Sequence, residues 1–171
     1  MATTITGTSV TSDGLVTNTL GTSNFVAGVN AGNSITSGGN YNTVVGDEAG
    51  TAITTGDNNT AVGQDALKST TTADHNTAVG QAALYTNTTG TTNTAVGRAS
   101  MYANTTGGAN TAVGYAALNT NTTANNNTAV GYQSLQANTT GAGNVAVGRQ
   151  ALAVNTTASS NTALGDQALN V

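Results

Sequence analysis

The sequence predicts an all-β protein, a parallel β-solenoid (β-roll) in which each 17-residue repeat forms one coil. Three observations lead to this prediction. Glycines recur at a constant spacing, as in Gly46, Gly63 and Gly80, and each closes the same short phrase. The phrase is built from Thr, Asn, Ala, Val and Gly, of which Thr, Asn and Gly are weak helix formers. The net charge is only −4 and Val and Leu recur on schedule, which favours a repeat fold over disorder.

Each repeat begins with Asn, and we number its positions 1 to 17 from that residue. The template is N-T-A-V-G-x-x-A-L-x-x-N-T-T-G-x-x, and eight copies of its opening phrase are in register over residues 42–171. The glycines at position 5 are Gly46, Gly63, Gly80, Gly97, Gly114, Gly131, Gly148 and Gly165. After Asn42, the Asn residues at position 1 are Asn59, Asn76, Asn93, Asn110, Asn127, Asn144 and Asn161.

Two domains follow from the extent of the template. A degenerate copy begins at Asn24, which lies 18 residues before Asn42 instead of 17. This spacing implies one inserted residue near Gly38 and Gly39. Residues 24–171 therefore form the solenoid. Residues 1–23 do not follow the template, and we expect them to form a cap or an attachment strand.

The opening phrase is the predicted strand of each coil. Positions 2 and 4 (Thr, Val) point to one face and position 3 (Ala) to the other. We expect Val to join Leu of position 9 inside the coil, with Ala on the opposite face, where another surface can approach closely. Gly at position 5 supplies a corner with φ > 0, and N-T-T-G forms a second turn. Eight coils about 4.8 Å apart make a rod roughly 40 Å long.

The Asn residues at position 1 have two interpretations, which are compatible. Stacked one above another, their side-chain amides can form hydrogen-bonded ladders, as in cross-β stacks. Alternatively, they are turn residues that tolerate the left-handed conformation.

The small interior predicts self-association. Ordering every residue of a coil is costly, whereas the interior gains one Val, one Leu and a few Ala. We therefore expect a homo-oligomer packed along the rod axis.

The repeats resemble those of a known family. N-T-A-V-G-x-x-A-L is similar to the S-V-A-I-G-x-x-A repeats in the heads of YadA-like trimeric adhesins. It is closer still to the N-T-A-V-G repeat arrays of phage and virus tail fibre proteins; Gly114-Tyr115-Ala116-Ala117-Leu118 carries that form fully. The resemblance covers residues 24–171 and implies a trimer of parallel β-rolls on a virion or cell surface that binds host glycans or proteins. The 17-residue period departs from the adhesins' usual 14.

Composition argues against several function classes. Three basic residues (Lys68, Arg98 and Arg149) cannot form the cation cluster that nucleic-acid binding requires. No apolar run approaches the ~20 residues needed for membrane insertion. A single histidine, His75, and no cysteine leave no catalytic constellation or zinc site, so we expect no enzyme, no cofactor and no metal. Asp57 and Asp74 share position 16, but a calcium β-roll repeats its acids in every turn.

Exposed tyrosines and arginines are the candidates for surface binding. Position 6 carries Arg98, Tyr115, Tyr132 and Arg149, and position 10 carries Tyr85 and Tyr102. Tyrosines one coil apart can form platforms for sugar rings or for host side chains. The alternative is that they stack on each other and hold the rod together. The N-T-T triplets match the glycosylation pattern, but we attribute them to the turn.

Three functions remain open. The first is a rigid fibre segment of a phage tail or a cell-surface adhesin. The second is the subunit of an extracellular filament that polymerises end to end, because solenoid ends expose unpaired strand edges. The third is ice binding by a Thr array, which fits poorly because the two Thr of N-T-T are adjacent and cannot share one face of a strand.

Overall fold

A computed structural model describes residues 21–170 of the chain. Nine short strands follow one another without any helix between them in this part of the chain. Their bounds are Phe25–Ala27 (β1), Thr43–Val45 (β2), Thr60–Val62 (β3), Thr77–Val79 (β4), Thr94–Val96 (β5), Thr111–Val113 (β6), Thr128–Val130 (β7), Val145–Val147 (β8) and Thr162–Leu164 (β9). The predicted cap or attachment strand falls outside the described residues, except for positions 21–23 of the chain.

The strands form one parallel sheet in the order β1 to β9, so the chain advances by one strand with every repeat. From β2 onward, paired residues are one full repeat apart, as in the pairing of Thr43 with Thr60. Each strand is the opening phrase of its repeat, and the remaining residues return the chain to the next strand. The prediction of an all-β parallel solenoid with 17-residue coils is confirmed. We name each coil by its strand.

The β1 coil contains one additional residue. Paired residues of β1 and β2 are 18 positions apart in the sequence. The same separation holds for Thr36, whose N–H donates to the carbonyl of Thr54. The spacing is 17 again at Asn40, whose N–H donates to Oδ1 of Asp57 at 2.6 Å. The extra residue therefore lies at 37–39, in a corner where lengthening the chain leaves the paired segments in register.

The two faces of the strand are the reverse of the prediction. Ala at position 3 points into the coil and is fully buried, as in Ala61 and Ala95, whereas Val at position 4 is partly exposed on the outside. The interior columns are positions 1, 3, 8, 9, 12 and 15, which in the β6 coil are Asn110, Ala112, Ala117, Leu118, Asn121 and Ala124. Position 3 is therefore small because the interior is narrow, and the surface available to another molecule carries Thr and Val.

The size of position 9 determines which residue fits at position 3. In the β2 coil, position 9 is Gly50, and Val44 with Ile53 fills the space. A Cβ on Gly50 would lie 2.9 Å from Cδ1 of Ile53 and 3.2 Å from Cγ1 of Val44. In the next coil the same three positions are Ala61, Leu67 and Thr70, all buried. A large residue at position 9 thus excludes large residues at positions 3 and 12, since interiors are close-packed.

The predicted large apolar residues of position 9 are buried from Leu67 to Leu152. Leu169 is the exception, with 55% of its surface exposed. It belongs to the β9 coil, above which the structure describes no complete coil.

Candidate functional site

The glycines of position 5 form the first corner of every coil. Their φ values lie between +125° and +137° from Gly46 to Gly165. Successive glycines also approach each other closely: a Cβ on Gly97 would lie 2.5 Å from the carbonyl oxygen of Gly114. Conformation and space therefore both require glycine at this corner.

The Asn residues of position 1 form a ladder between side chain and backbone. Oδ1 of Asn59 accepts the N–H of Asn76 at 2.9 Å, while its Nδ2 donates to the carbonyl of Ala73 at 2.8 Å in the same coil. The pattern continues along the rod to Asn144 and Asn161. Each Asn thus ties two segments of its own coil to the coil above, with direct amide–amide bonds at only some steps, such as Asn110 to Asn93 at 3.2 Å.

A second ladder, at position 12, was not predicted. Here the amide of each Asn from Asn104 to Asn155 donates to Oδ1 of the Asn one coil below, at 2.8 Å from Asn104 to Asn87 and at 3.1 Å from Asn138 to Asn121. The same Nδ2 groups also donate to the carbonyl of position 15. N-T-T-G was interpreted as a surface turn, although the Asn that recurs at position 12 from Asn87 to Asn155 was as visible as that at position 1. Its Asn lies inside.

The acidic residues at position 16 are bonded within the turn. Oδ1 of Asp74 accepts the N–H of Asp57 at 2.8 Å, as Oδ1 of Asp57 accepts that of Asn40. Asn125 occupies the equivalent place and accepts the N–H of Gly108 at 2.6 Å. The carboxylates at this position therefore satisfy backbone donors. Among residues 21–170, no group of three or more His, Cys, Asp or Glu side chains could hold a metal ion.

Lys68 forms a polar cluster with two acidic residues at the surface of the rod. Its Nζ lies 2.8 Å from Asp65 and 3.3 Å from Glu48 of the coil below. The hydrogen bond to Asp65, together with Glu48, raises the pKa of Lys68 above its usual range. The cluster links two coils at the surface, where such ion pairs contribute little to stability.

Four of the five tyrosines lie in two stacks, as their spacing suggested. The rings of Tyr85 and Tyr102 are 5.0 Å apart with an angle of 9°, and those of Tyr115 and Tyr132 are 5.3 Å apart with an angle of 13°. Lys68 lies over Tyr85, with Nζ 5.7 Å from the ring centroid. One face of every ring is therefore covered by its neighbour, which weakens the interpretation as flat platforms for sugar rings.

The arginines of position 6 extend the second stack. The guanidinium of Arg98 lies 5.6 Å from the Tyr115 ring centroid and donates to Gln81 Oε1. Arg149 forms an ion pair with Asp166 at 2.8 Å. The structure thus brings Arg98, Tyr115 and Tyr132 together in one column, whereas Tyr85 and Tyr102 belong to the column of position 10. Tyr132 remains 49% exposed.

The outer side of the sheet is a regular surface that extends over all nine strands. We call it the sheet face and define it by positions 2 and 4 of every strand. From β2 to β9 it consists of a Thr column, interrupted by Val145, and a Val column that ends at Leu164. No charged residue lies on the sheet face in any of the nine strands. Val113 and Val145 are 37% and 38% exposed.

The two Thr residues of N-T-T differ in their surroundings. The Thr at position 13 donates a hydrogen bond from its hydroxyl to the backbone of the next coil, as Thr105 does to the carbonyl of Thr122 at 3.0 Å. Position 14 is exposed in every coil from Thr55 to Thr157. His75 occupies an exposed corner at position 17 with φ 59°, where other coils have Asn58 and Asn126.

The comparisons with known proteins found no matching family model, curated protein or solved structure. In addition, no helix among residues 21–170 is long and apolar enough to cross a membrane.

Proposed function

We propose that the chain is a rigid segment of a fibre on a virion or cell surface, in which copies of the chain pack side by side along their sheet faces. The observation that supports this function best is the sheet face itself. It is uncharged over nine strands, and it presents one partly exposed Val or Leu per coil from Val45 to Leu164. Exposed apolar surface of this regularity marks interaction sites.

The repeat of the sheet face favours another copy as its partner. The face presents the same pair of side chains about every 4.8 Å. A partner matches all of its strands at once only if it has the same period, and another copy of this chain has it. Interruptions such as Phe25 and Val145 differ from the regular Thr and so specify which coils lie side by side.

The size of the sheet face indicates that flanking columns take part. Nine strands of three residues cover about 40 by 10 Å, or ~400 Å², half of the ~800 Å² per partner in a standard interface. Position 6 follows two residues after Val and carries Arg98, Tyr115 and Tyr132. Tyr and Arg are enriched in interfaces. The proposed contact therefore extends from the Val column towards position 6.

The interior supports a structural role. Among residues 21–170, Asn170 Oδ1 is the only buried side-chain polar atom without a hydrogen-bond partner. The Asn residues of both ladders are bonded to neighbouring coils, and the described residues contain no cluster of metal-ligand side chains. Side chains fixed in this way make a stiff rod. We infer a trimer from the resemblance to YadA-like heads, and the sheet face supports association without fixing the number of copies.

The test is the mass in solution of the wild type and of two charge variants. Val96→Asp with Val113→Asp places two carboxylates on the sheet face, where we expect trimers to dissociate to the 16.6 kDa chain. The matched control, Thr106→Asp with Thr123→Asp, adds the same charge to the exposed position 14 of the same two coils and should leave the trimer intact. A monomeric wild type, or equal behaviour of the two variants, contradicts the proposal.

Ice binding remains a second candidate because of the sheet face. Thr and Val side chains form a flat, uncharged array there, independently of the N-T-T pairs. Thermal hysteresis measured at the protein concentration used for the mass determination separates the two functions. A trimer that buries the face should show none. Electron micrographs address the end-to-end filament, which requires rods much longer than the roughly 40 Å of one chain.

A further inference from the structure

Seven Asn residues of the sequence satisfy the acceptor pattern N-x-T for N-glycosylation. Five of them belong to the N-T-T triplets: Asn87, Asn104, Asn121, Asn138 and Asn155. The other two are Asn58 and Asn126, which precede the Asn-Thr of the next repeat as Asn58-Asn59-Thr60 and Asn126-Asn127-Thr128. The fold treats these two groups differently.

The five N-T-T residues are closed to modification in the folded rod. Asn87, Asn104, Asn121 and Asn138 are fully buried. The Nδ2 of Asn121, the atom to which a sugar would be attached, donates to Asn104 Oδ1 and to the carbonyl of Ala124. Asn155 is partly buried, and its amide is bonded in the same way. A sugar at position 12 would require the coil to open.

Asn58 and Asn126, by contrast, are accessible in the folded rod. Both are exposed at position 17, with φ values of 58° and 60°. Neither side-chain amide forms a hydrogen bond within residues 21–170. The Thr two residues later, Thr60 or Thr128, lies on the partly exposed outer side of β3 or β7, and its hydroxyl is also without a partner among these residues. Both groups that a glycosylating enzyme must read are accessible.

We propose that Asn58 and Asn126 are the N-glycosylation sites of the folded rod. The donor is an oligosaccharide linked to a lipid diphosphate. A bond forms between Nδ2 and C1 of the first sugar, the bond from C1 to the diphosphate oxygen breaks, the lipid diphosphate leaves with the electron pair, and Nδ2 loses one proton. The two sites occupy the same corner column, four coils or about 19 Å apart. The proposal requires export from the cytoplasm and, because Thr60 and Thr128 belong to the sheet face, modification before copies of the chain pack together. It does not depend on the fibre function.

The experiment incubates the folded full chain carrying Val96→Asp and Val113→Asp, so that its sheet face is uncovered, with a purified oligosaccharyltransferase and a lipid-linked oligosaccharide, together with a short acceptor peptide as an internal control. The intact mass should increase by two oligosaccharides, and peptide mapping should place them on Asn58 and Asn126. Consumption of the peptide without modification of the chain overturns the proposal. Modification of an Asn at position 12 overturns it as well.

Three variants sharpen the result. Thr60→Val and Thr128→Val each remove one acceptor pattern and should each reduce the number of oligosaccharides from two to one. The fold accepts this change because Val145 already occupies position 2 in β8. His75→Asn creates a third acceptor pattern with Asn76 and Thr77 at an equally exposed corner, and it should raise the number to three. A His75→Asn chain with wild-type circular dichroism and only two oligosaccharides contradicts the proposal.

Discussion

The side-chain amide of Asn104 donates a hydrogen bond of 2.8 Å to Oδ1 of Asn87, and Oδ1 of Asn104 accepts one of 2.8 Å from Asn121 in the next coil. This relationship repeats along position 12 as far as Asn155. The rod is therefore held together inside by polar bonds in addition to its small apolar contacts. A buried polar group stabilises the fold only while its partners are present.

Replacing one member of this ladder should be costly. Asn121→Ala leaves Oδ1 of Asn104 without its donor and removes one of the two acceptors of Asn138 Nδ2. We expect the free energy of unfolding to fall by about 2–4 kcal/mol, measured by urea denaturation. Thr123→Ala, at an exposed position of the same coil, should change it by less than about 0.5 kcal/mol. Equal losses for the two variants would show that the ladder contributes nothing specific.

The β2 coil offers a test of the size relationship between positions 3, 9 and 12. Gly50→Leu places its Cβ against Ile53 and Val44, so we expect a loss of about 1–3 kcal/mol from overpacking. Adding Val44→Ala and Ile53→Thr reproduces the interior of the next coil and should restore most of the stability. Thermal unfolding of the single and triple variants gives the comparison. A triple variant no more stable than Gly50→Leu alone would refute the relationship.

The corner glycines can be tested at two places that differ only in their surroundings. Gly97→Ala combines an unfavourable φ with a Cβ 2.5 Å from the Gly114 carbonyl oxygen, and should cost at least about 3 kcal/mol. At Gly165 no atom lies within 4 Å of the added Cβ, so only the strain of φ +125° remains, about 1–2 kcal/mol. Chemical denaturation of both variants measures the difference. If they lose the same stability, the close approach of successive corners is unimportant.

The Tyr85–Tyr102 stack separates a packing role from a binding role. If the rings hold neighbouring coils together, Tyr85→Ala and Tyr102→Ala should show a coupling energy of about 0.5–1.5 kcal/mol in a double-mutant cycle. The cycle is its own control, because each single substitution removes the same contact. A coupling energy near zero would instead show that the stack does not stabilise the rod, and would favour a binding role for the exposed part of the rings.

The sequence predicts the coil but does not reveal which side of the strand faces inward. The spacing of the glycines defines the period, and the alternation of Thr, Ala and Val defines the two faces. Val was expected inside because it is larger than Ala, but Leu118 and two Asn side chains already fill the interior of the β6 coil, where Ala112 is the residue that fits. The clue was the β2 coil, where Val44 and Gly50 change together.

The ladders were predictable only in part. Stacking at position 1 follows from the period alone, but the pattern of bonds depends on which carbonyl each amide reaches, as Asn59 reaches Ala73. Position 12 carries the same periodic Asn, yet its neighbours Thr and Gly are typical of surface turns. The stacked rings of Tyr115 and Tyr132 follow from their separation by one period, whereas their remaining exposure depends on side-chain directions that the spacing does not give.

The uniform register of the coils has a consequence for how such a gene can evolve. From β4 to β8 the coils offer their neighbours closely similar donors, acceptors and interior volumes. Unequal recombination between these repeats would remove or duplicate whole units and join edges that already match. The length of the encoded rod can therefore change in steps of about 4.8 Å. The insertion of a single residue, in contrast, is tolerated only at a corner such as residues 37–39.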